Sequence, residues 1–86
     1  MSKEKDPFIT DKPLIDHSIE YNYDKLPKYL IGLIHELEEL DKKGDWFNYD
    51  IKFSILEIEA KSYYRDGIIT EYDFKTILSK YGWLYD

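Results

Sequence analysis

The chain of 86 residues contains no cysteine and has few glycines and prolines, four and three respectively. Without cysteine, neither a disulfide framework nor a thiolate zinc site can form, so packing alone must stabilise the fold. No segment approaches the roughly 20 consecutive apolar residues that cross a bilayer, and residues 1–12 lack the apolar run of a signal peptide. We therefore expect a cytoplasmic protein.

Positive charge is also scarce, with 12 Lys and Arg against 18 Asp and Glu, and the formal net charge is −6. The imbalance is concentrated in residues 30–60, which carry eight carboxylates and three lysines. Nucleic acids and anionic membranes bind proteins mainly through Lys and Arg. We therefore predict no direct nucleic-acid binding and no membrane binding.

Aromatic and aliphatic residues are plentiful: Phe, Trp and Tyr make up 17% of the chain, and hydrophobic residues reach 43%. This share is too high for a wholly disordered chain, so we expect it to fold. A chain of 86 residues supports one domain with a thin core. Any large apolar side chain that such a core leaves uncovered is informative about binding.

Hydrophobic periodicity predicts an all-α fold, a three-helix bundle with an N-terminal irregular or extended arm. The arm spans residues 1–23, where Pro7 and Pro13 interrupt any helical period. Leu14 and Ile15 are too apolar for a solvated tail, so we expect part of the arm to pack. The helical domain spans residues 24–86, with helices at about 26–43, 46–65 and 71–81.

Residues at the helix ends support these limits. In the first helix, Asp24 is the expected N-cap, Pro27 suits the first turn, and Gly44 can end the helix in the left-handed conformation. The second helix begins after Asp45, a favourable N-cap. Its residues 49–55 also alternate between apolar and polar, which would suit a strand paired with the arm. We favour a helix because the run is about twenty residues long and a lone strand has no partner.

The third helix has the clearest local signature. Thr70 is followed three residues later by Asp73, which predicts a capping box with Asp in place of the usual Glu. Gly82 is placed to close this helix, and Trp83 lies where a Schellman motif would press it against Leu78. We therefore expect the C-terminus to pack.

The second helix carries apolar side chains on two opposite sides when it is projected at 100° per residue. A helix in a small bundle normally hides only one such stripe, so the second needs a cover from elsewhere in this chain or from another chain. In the first helix, Ile31 projects among polar residues and is also a candidate exposed residue. The first stripe is Trp46, Tyr49, Phe53, Leu56, Ala60 and Tyr63, and the second is Phe47, Ile51, Ile55 and Ile58.

No catalytic or ligand motif stands out. The serines have no nucleophile elbow or nearby base, and no glycine-rich loop could cradle a phosphate. A bundle of this size has little room for a dry, substrate-sized cleft. We predict that the chain is not an enzyme and has no cofactor and no metal site.

A weak likeness to a calcium loop precedes the third helix. The residues that resemble the second half of an EF-hand are Asp66, Gly67, Ile69, Asp73 and Phe74. The first half departs from that pattern, because Ser62 and Tyr64 stand where oxygen ligands are needed. A helix end followed by a capping box explains the same residues.

A set of residues in roughly the last two thirds of the chain carries a resemblance to known proteins. These residues are Leu40, the run from Asp41 to Asp45, Trp46, Phe47, Tyr49, Asp50, Gly67, Ile69, Thr70, Lys80, Tyr81 and Gly82. With them the chain resembles small uncharacterised helical proteins of Gram-positive bacteria and their mobile elements. The resemblance implies a helix rather than a strand for the middle segment, and it implies no activity.

Three functional hypotheses follow. The first is an acidic, non-enzymatic protein-binding module that acts by stoichiometric association. A sharper form is an inhibitor that mimics nucleic acid and occupies the basic groove of a nucleic-acid-handling enzyme, as anti-CRISPR and anti-restriction proteins do. The alternatives are a structural homodimeric helical domain and a degenerate EF-hand-like calcium binder.

Two sets of side chains are the predicted contacts with a protein partner. The apolar set follows from the second stripe, and the acidic set follows from the concentration of carboxylates in the middle third. The apolar set is Ile31, Phe47, Ile51, Ile55 and Ile58, and the acidic set is Glu36, Glu38, Glu39, Asp41, Asp45 and Asp50.

Overall fold

The computed structural model describes residues 12–82 and confirms the all-α three-helix fold. Helix α1 is Lys28–Lys43, α2 is Trp46–Arg65 and α3 is Glu71–Tyr81. Residues 49–55 lie within α2, so the strand alternative is wrong. None of the three helices is long and apolar enough to cross a membrane. The expected packing of Trp83 lies outside the described residues.

Three of the predicted helix ends are confirmed. Asp45 caps α2, because its side chain accepts a hydrogen bond from the backbone N–H of Asn48 at 3.2 Å. Thr70 and Asp73 form the reciprocal capping box at the start of α3. Gly44 ends α1 with φ at +71°, a conformation that glycine adopts without a steric penalty.

The start of α1 differs from the prediction. The helix begins at Lys28 rather than at residue 26, and its N-cap is Pro27, with no capping side chain. Proline disfavours the helical conformation of the residue before it, so Leu26 stays outside the helix. The N–H of Leu26 closes a turn on the carbonyl of Tyr23 at 3.0 Å instead. The predicted capping role of Asp24 is therefore wrong.

Helix α3 ends where Gly82 packs closely against Phe53. Gly82 follows the helix with φ at −115°, so it does not adopt the left-handed conformation of a Schellman motif. Its N–H donates to the carbonyl of Leu78 at 2.9 Å. A Cβ at this position would overlap the ring of Phe53. The glycine is needed here because the two segments approach so closely.

Consecutive helices pack antiparallel. An ion pair joins Lys52 in α2 to Glu36 in α1 at 3.1 Å. Near the other end of α2, the rings of Tyr64 and Phe74 stack at 5.1 Å between centroids. The core between the helices is entirely apolar or aromatic and consists of Leu14, Ile15, Leu26, Leu30, Leu33, Ile34, Leu37, Tyr49, Phe53, Leu56, Ala60, Ile69, Ile77 and Tyr81.

The described part of the arm closes the bundle between α1 and α3. Leu14 and Ile15 are buried, and both of their N–H groups donate to Oδ1 of Asp41 in α1, at 2.6 and 3.2 Å. The N–H of Asp16 donates to the carbonyl of Lys80 in α3 at 2.8 Å. These contacts attach residues 14–16 of the arm to both α1 and α3.

Candidate functional site

Helix α2 has one buried side and one exposed apolar side. Tyr49 and Leu56 are fully buried on the inner side. On the opposite side, Phe47, Ile51 and Ile58 remain 44%, 48% and 66% exposed. We call these three residues the outer face of α2. They follow one another at intervals of four and seven residues, so they lie in a single row along the helix.

Two residues of the predicted apolar set are less accessible. Ile31 and Ile55 are half-buried and pack against the core. On a 100° projection, Ile55 lies between the outer face and the side that carries Lys52, which is the side turned towards α1. The hydrophobic pattern does not separate such a boundary position from a fully exposed one. Ile55 therefore borders the outer face and also contributes to the fold.

Two of the six predicted acidic contacts hold the arm in place. The side chain of Asp41 is only 9% exposed, and besides the two arm N–H groups its Oδ2 lies 2.8 Å from Nε2 of His17. Both carboxylate oxygens of Glu38 accept from the hydroxyl of Tyr23 at 3.2 Å. Burial, together with this carboxylate, raises the pKa of the Tyr23 phenol. Both acids stabilise the arm against α1.

The other four acidic residues lie on the surface. Glu36 pairs with Lys52 at 3.1 Å, and Glu39 lies 3.5 Å from Lys42. The hydrogen bonds from Asn48 lower the pKa of Asp45. Asp50 is exposed. Five of the six carboxylates therefore have contacts within the chain.

Charged residues flank the outer face unevenly. Asp50 and Glu57 are both exposed and project to one edge of the row, near Ile51 and Ile58. The two cations of this side, Lys61 and Arg65, lie towards the C-terminal end of α2. Glu57 was not among the predicted site residues. Its spacing of seven residues from Asp50, which places both on the same side of a helix, could have identified it. The first three turns of the outer face are thus flanked by negative charge.

Two shallow cavities lie along α1, with volumes of about 340 and 220 Å³ and Glu36 as a shared lining residue. The larger reaches Lys52 of α2, whereas the smaller is lined by α1 residues alone. Both cavities combine lysines with carboxylates, so neither favours one sign of charge in a ligand. The lining residues are Lys28, Tyr29, Gly32, Leu33, His35, Glu36, Glu39, Leu40 and Lys52.

Gly32, which lines the smaller of these cavities, is unusual. It lies in the middle of α1 with an ordinary negative φ, and a Cβ added there would meet no atom within 4 Å. Glycine inside a helix costs about 1 kcal/mol relative to alanine. The described part of the fold gives no reason for this loss of stability.

The arrangement gives no support to a metal site. Among residues 12–82, no group of three or more His, Asp or Glu side chains could hold an ion. Ser62 and Tyr64 belong to the last turns of α2 and not to a loop. The carboxylate of Asp73 accepts from the N–H of Thr70 and from the hydroxyl of Tyr21. The calcium-binding alternative therefore lacks the loop and the final ligand that it needs.

A further cavity of about 580 Å³ lies between the arm and the start of α3. Asp73, one of its lining carboxylates, is already hydrogen-bonded within the chain. Burial raises the pKa of Asp73, but these hydrogen bonds and the charge of Lys25, another lining residue, together lower it below the usual value. The Tyr21 and Tyr72 rings lie 6.3 Å apart on its rim. This cavity combines both signs of charge, so it favours no single ligand chemistry.

Comparisons with known proteins add no assignment. No protein-family model matches the chain, and neither a curated protein nor a solved structure matches it. The resemblance to small helical proteins of Gram-positive bacteria stays a prediction.

Proposed function

We propose that this chain is a non-enzymatic protein-binding module that acts by stoichiometric association through the outer face of α2. The observation that carries the proposal is the exposure of Phe47, Ile51 and Ile58 in one row, on a helix whose opposite side is already buried in the core. Large apolar side chains gathered on a surface favour association, because contact with a partner removes them from water.

The charge beside this face indicates the kind of partner. Asp50 and Glu57 flank the row, and the chain as a whole carries a net charge of −6. A partner with an apolar surface bordered by Lys and Arg would gain both hydrophobic burial and charge complementarity. We therefore favour a basic protein surface as the target.

The inhibitor that mimics nucleic acid is a narrower form of this proposal and has weaker support. Such mimicry needs carboxylates that are free to replace phosphates in a basic groove. In this chain, Asp41 and Glu38 are committed to holding the arm. Contact through the apolar outer face does not depend on those groups, so we give it precedence.

A homodimer that pairs two outer faces is the alternative from another class. A second copy would bring Asp50 and Glu57 close to the same residues of its twin in an antiparallel pairing. Repulsion between these carboxylates opposes that arrangement. Light scattering on the purified chain tests it, because a dimer doubles the mass.

The test of the proposed function is a comparison of three tagged forms in a pull-down from a lysate of the source organism. The forms are the wild type, Ile58→Asp on the outer face, and Ile68→Asp in the turn after α2. Ile68 is a matched control because it is 58% exposed, close to the 66% of Ile58. We expect wild type and Ile68→Asp to retain the same partner in a fixed molar ratio and Ile58→Asp to lose it.

Washing at low and at high salt distinguishes contact through the outer face from mimicry of nucleic acid. Contact through apolar side chains persists at high salt, whereas mimicry of nucleic acid is screened and lost. A partner that remains bound to Ile58→Asp as tightly as to wild type would contradict the use of the outer face.

A further inference from the structure

The described arm fills a cleft between α1 and α3. The backbones of these two helices come close at fewer positions than those of consecutive helices do. Near the end of α3, the N–H of Asp16 donates to the carbonyl of Lys80 at 2.8 Å. Near its start, the hydroxyl of Tyr21 donates to the carboxylate of Asp73, also at 2.8 Å. The arm therefore runs antiparallel to α3, and we call the space that its residues 14–23 occupy the α1–α3 cleft.

The cleft holds the backbone of the arm as well as its side chains. On the α1 side, Oδ1 of Asp41 accepts from the N–H groups of Leu14 and Ile15, whose side chains are buried. On the α3 side, Nζ of Lys80 donates to the carbonyl of Ile19 at 2.5 Å. Loss of the arm would expose two aliphatic side chains to water and deprive the carboxylate of these donors. An occupied cleft is therefore part of the stable fold.

These contacts do not depend on which copy of the chain supplies the arm. Each of them joins residues 14–23 to a helix, and none is made by residues 24–27, which connect the arm to α1 and which we call the hinge. A second copy has the same arm, so its residues 14–23 make the same contacts in this cleft. Exchange of an identical element between two copies is a low-cost route to a dimer, because the contacts are kept.

The hinge favours an extended chain. In the monomer it reverses direction in a turn, where the N–H of Leu26 donates to the carbonyl of Tyr23 at 3.0 Å. Asp24 and Lys25 form the middle of this turn and are exposed. Pro27 has an extended ψ of 146° and disfavours a helical backbone at the residue before it. Opening the turn at its two exposed residues therefore breaks its backbone hydrogen bond and exposes no side chain of the turn's middle.

The length of the hinge decides which arm occupies the cleft. A short linker holds the chain's own arm near the cleft at an effective concentration of about millimolar. A second arm competes when the protein concentration approaches this value or when the hinge cannot turn. We infer that the α1–α3 cleft is an interaction surface for the arm of a second copy, and that two copies dimerise by reciprocal exchange of residues 14–23. This inference goes beyond the proposed function, because it uses no residue of the outer face, and its failure leaves that proposal standing.

The first test changes the length of the hinge in the full-length chain. Deletion of Asp24 and Lys25 removes the middle of the turn, so the arm cannot fold back into its own cleft. We expect light scattering to show twice the monomer mass and the unfolding midpoint in urea to rise with protein concentration. A short glycine insertion after Lys25 is the matched control and is expected to stay monomeric, because a longer hinge still turns. A deletion variant that remains monomeric, whether folded or unfolded, would overturn the inference.

The second test keeps the natural hinge. The chain has no cysteine, so two full-length forms with one cysteine each, a tagged Asp16→Cys and an untagged Lys80→Cys, can be mixed and oxidised. The hydrogen bond of 2.8 Å between the backbones of these two positions brings their Cα atoms within the range of a disulfide. At about millimolar concentration we expect disulfides between the two forms to outnumber those within either form. At micromolar concentration this excess is expected to disappear.

Two results of the second test would contradict exchange. The proportions of the three disulfide-linked pairs that random collision gives, found at millimolar concentration, would overturn the inference for the natural hinge. Addition of Ile58→Asp to both forms distinguishes exchange from pairing of two outer faces. Exchange predicts that the excess of mixed disulfide is unchanged by this substitution. Its loss would assign the dimer to the outer face and overturn the inference.

Discussion

Both sides of α2 carry a stripe of apolar side chains, but the structure buries most of one stripe and exposes most of the other. The inner side meets α1, α3 and the described arm, and Tyr49, Leu56 and Ala60 are fully buried there. On the outer side, Phe47, Ile51 and Ile58 stay 44%, 48% and 66% exposed, while residues 14–16 of the arm bond to α1 and α3. The comparison teaches that apolar character alone does not identify the core; the number of neighbouring elements decides which stripe is covered.

The largest change in the free energy of unfolding is expected on the inner side of α2. Leu56→Ala would leave a cavity in a core with no other layer to refill it, so we expect the free energy of unfolding to fall by about 2 to 5 kcal/mol. Ile58→Ala on the outer side removes a similar number of carbons. Because Ile58 is mostly exposed, we expect a change within about 0.5 kcal/mol. Urea unfolding followed by circular dichroism measures both.

A comparable loss of stability in Leu56→Ala and Ile58→Ala would contradict the contrast between the inner and outer sides of α2. It would mean that the outer face is covered in solution, either by a second copy or by residues outside 12–82. Repeating the Ile58→Ala measurement across a hundredfold range of protein concentration separates these cases, since only a second copy makes the loss concentration-dependent.

The fold was predictable from local signals. The N-cap at Asp45, the capping box of Thr70 and Asp73 and the left-handed Gly44 each depend on a few neighbouring residues, and each is present. The start of α1 was not predicted correctly, because the effect of Pro27 on the preceding residue outweighed the capping preference of Asp24. Helix ends follow from local chemistry when one signal dominates.

The candidate site was only partly predictable. The sequence identifies a second stripe on α2, but helical projection alone cannot tell Ile55, which packs against the core, from Ile58, which does not. It also groups Asp41 with the surface acids, although the arm buries that carboxylate. These distinctions arise from contacts between segments far apart in the chain, and a single sequence does not reveal them.

The next largest change in stability is expected at the end of α3. It compares a glycine in a tightly packed position, Gly82, with a glycine in open space, Gly32. Gly82→Ala would push a methyl group into the ring of Phe53 and towards the carbonyl of Leu78, 2.9 Å away. We expect it to destabilise the fold by about 1 to 3 kcal/mol. Gly32→Ala, in open space on α1, is the matched control and is expected to stabilise the isolated chain by up to about 1 kcal/mol. Thermal melts of both variants test the opposite signs, and a stabilised Gly82→Ala would contradict the close packing.

A smaller change in stability is expected to distinguish two buried tyrosines, Tyr49 in α2 and Tyr81 in α3. The hydroxyl of Tyr49 donates to the backbone carbonyl of Tyr81 at 2.5 Å, so Tyr49→Phe is expected to cost about 1 to 2 kcal/mol. The hydroxyl of Tyr81 is buried and has no hydrogen-bond partner among residues 12–82. Burial, with a contribution from nearby Glu38, raises its pKa. Tyr81→Phe is therefore expected to leave stability unchanged or to raise it by up to about 1 kcal/mol. Equal losses in the two variants would show that Tyr81 has a partner in solution.

The smallest change in stability is expected at the exposed start of α3, and its size depends on pH. Burial opposes ionisation of Asp73, but hydrogen bonds from Thr70 and Tyr21 outweigh it and hold the pKa below the usual 3.8. The folded state therefore binds this proton less readily than the unfolded state, so the contribution of Asp73 is complete above pH 3.8 and is lost as the pH falls through the lower, folded pKa. We expect Asp73→Asn to lower stability at pH 7 by about 1 kcal/mol, as loss of a charged cap does, and by less at pH 3. Chemical unfolding at the two pH values measures the difference. A gap between wild type and Asp73→Asn that stays the same at both would mean that the carboxylate contributes through shape and not through charge.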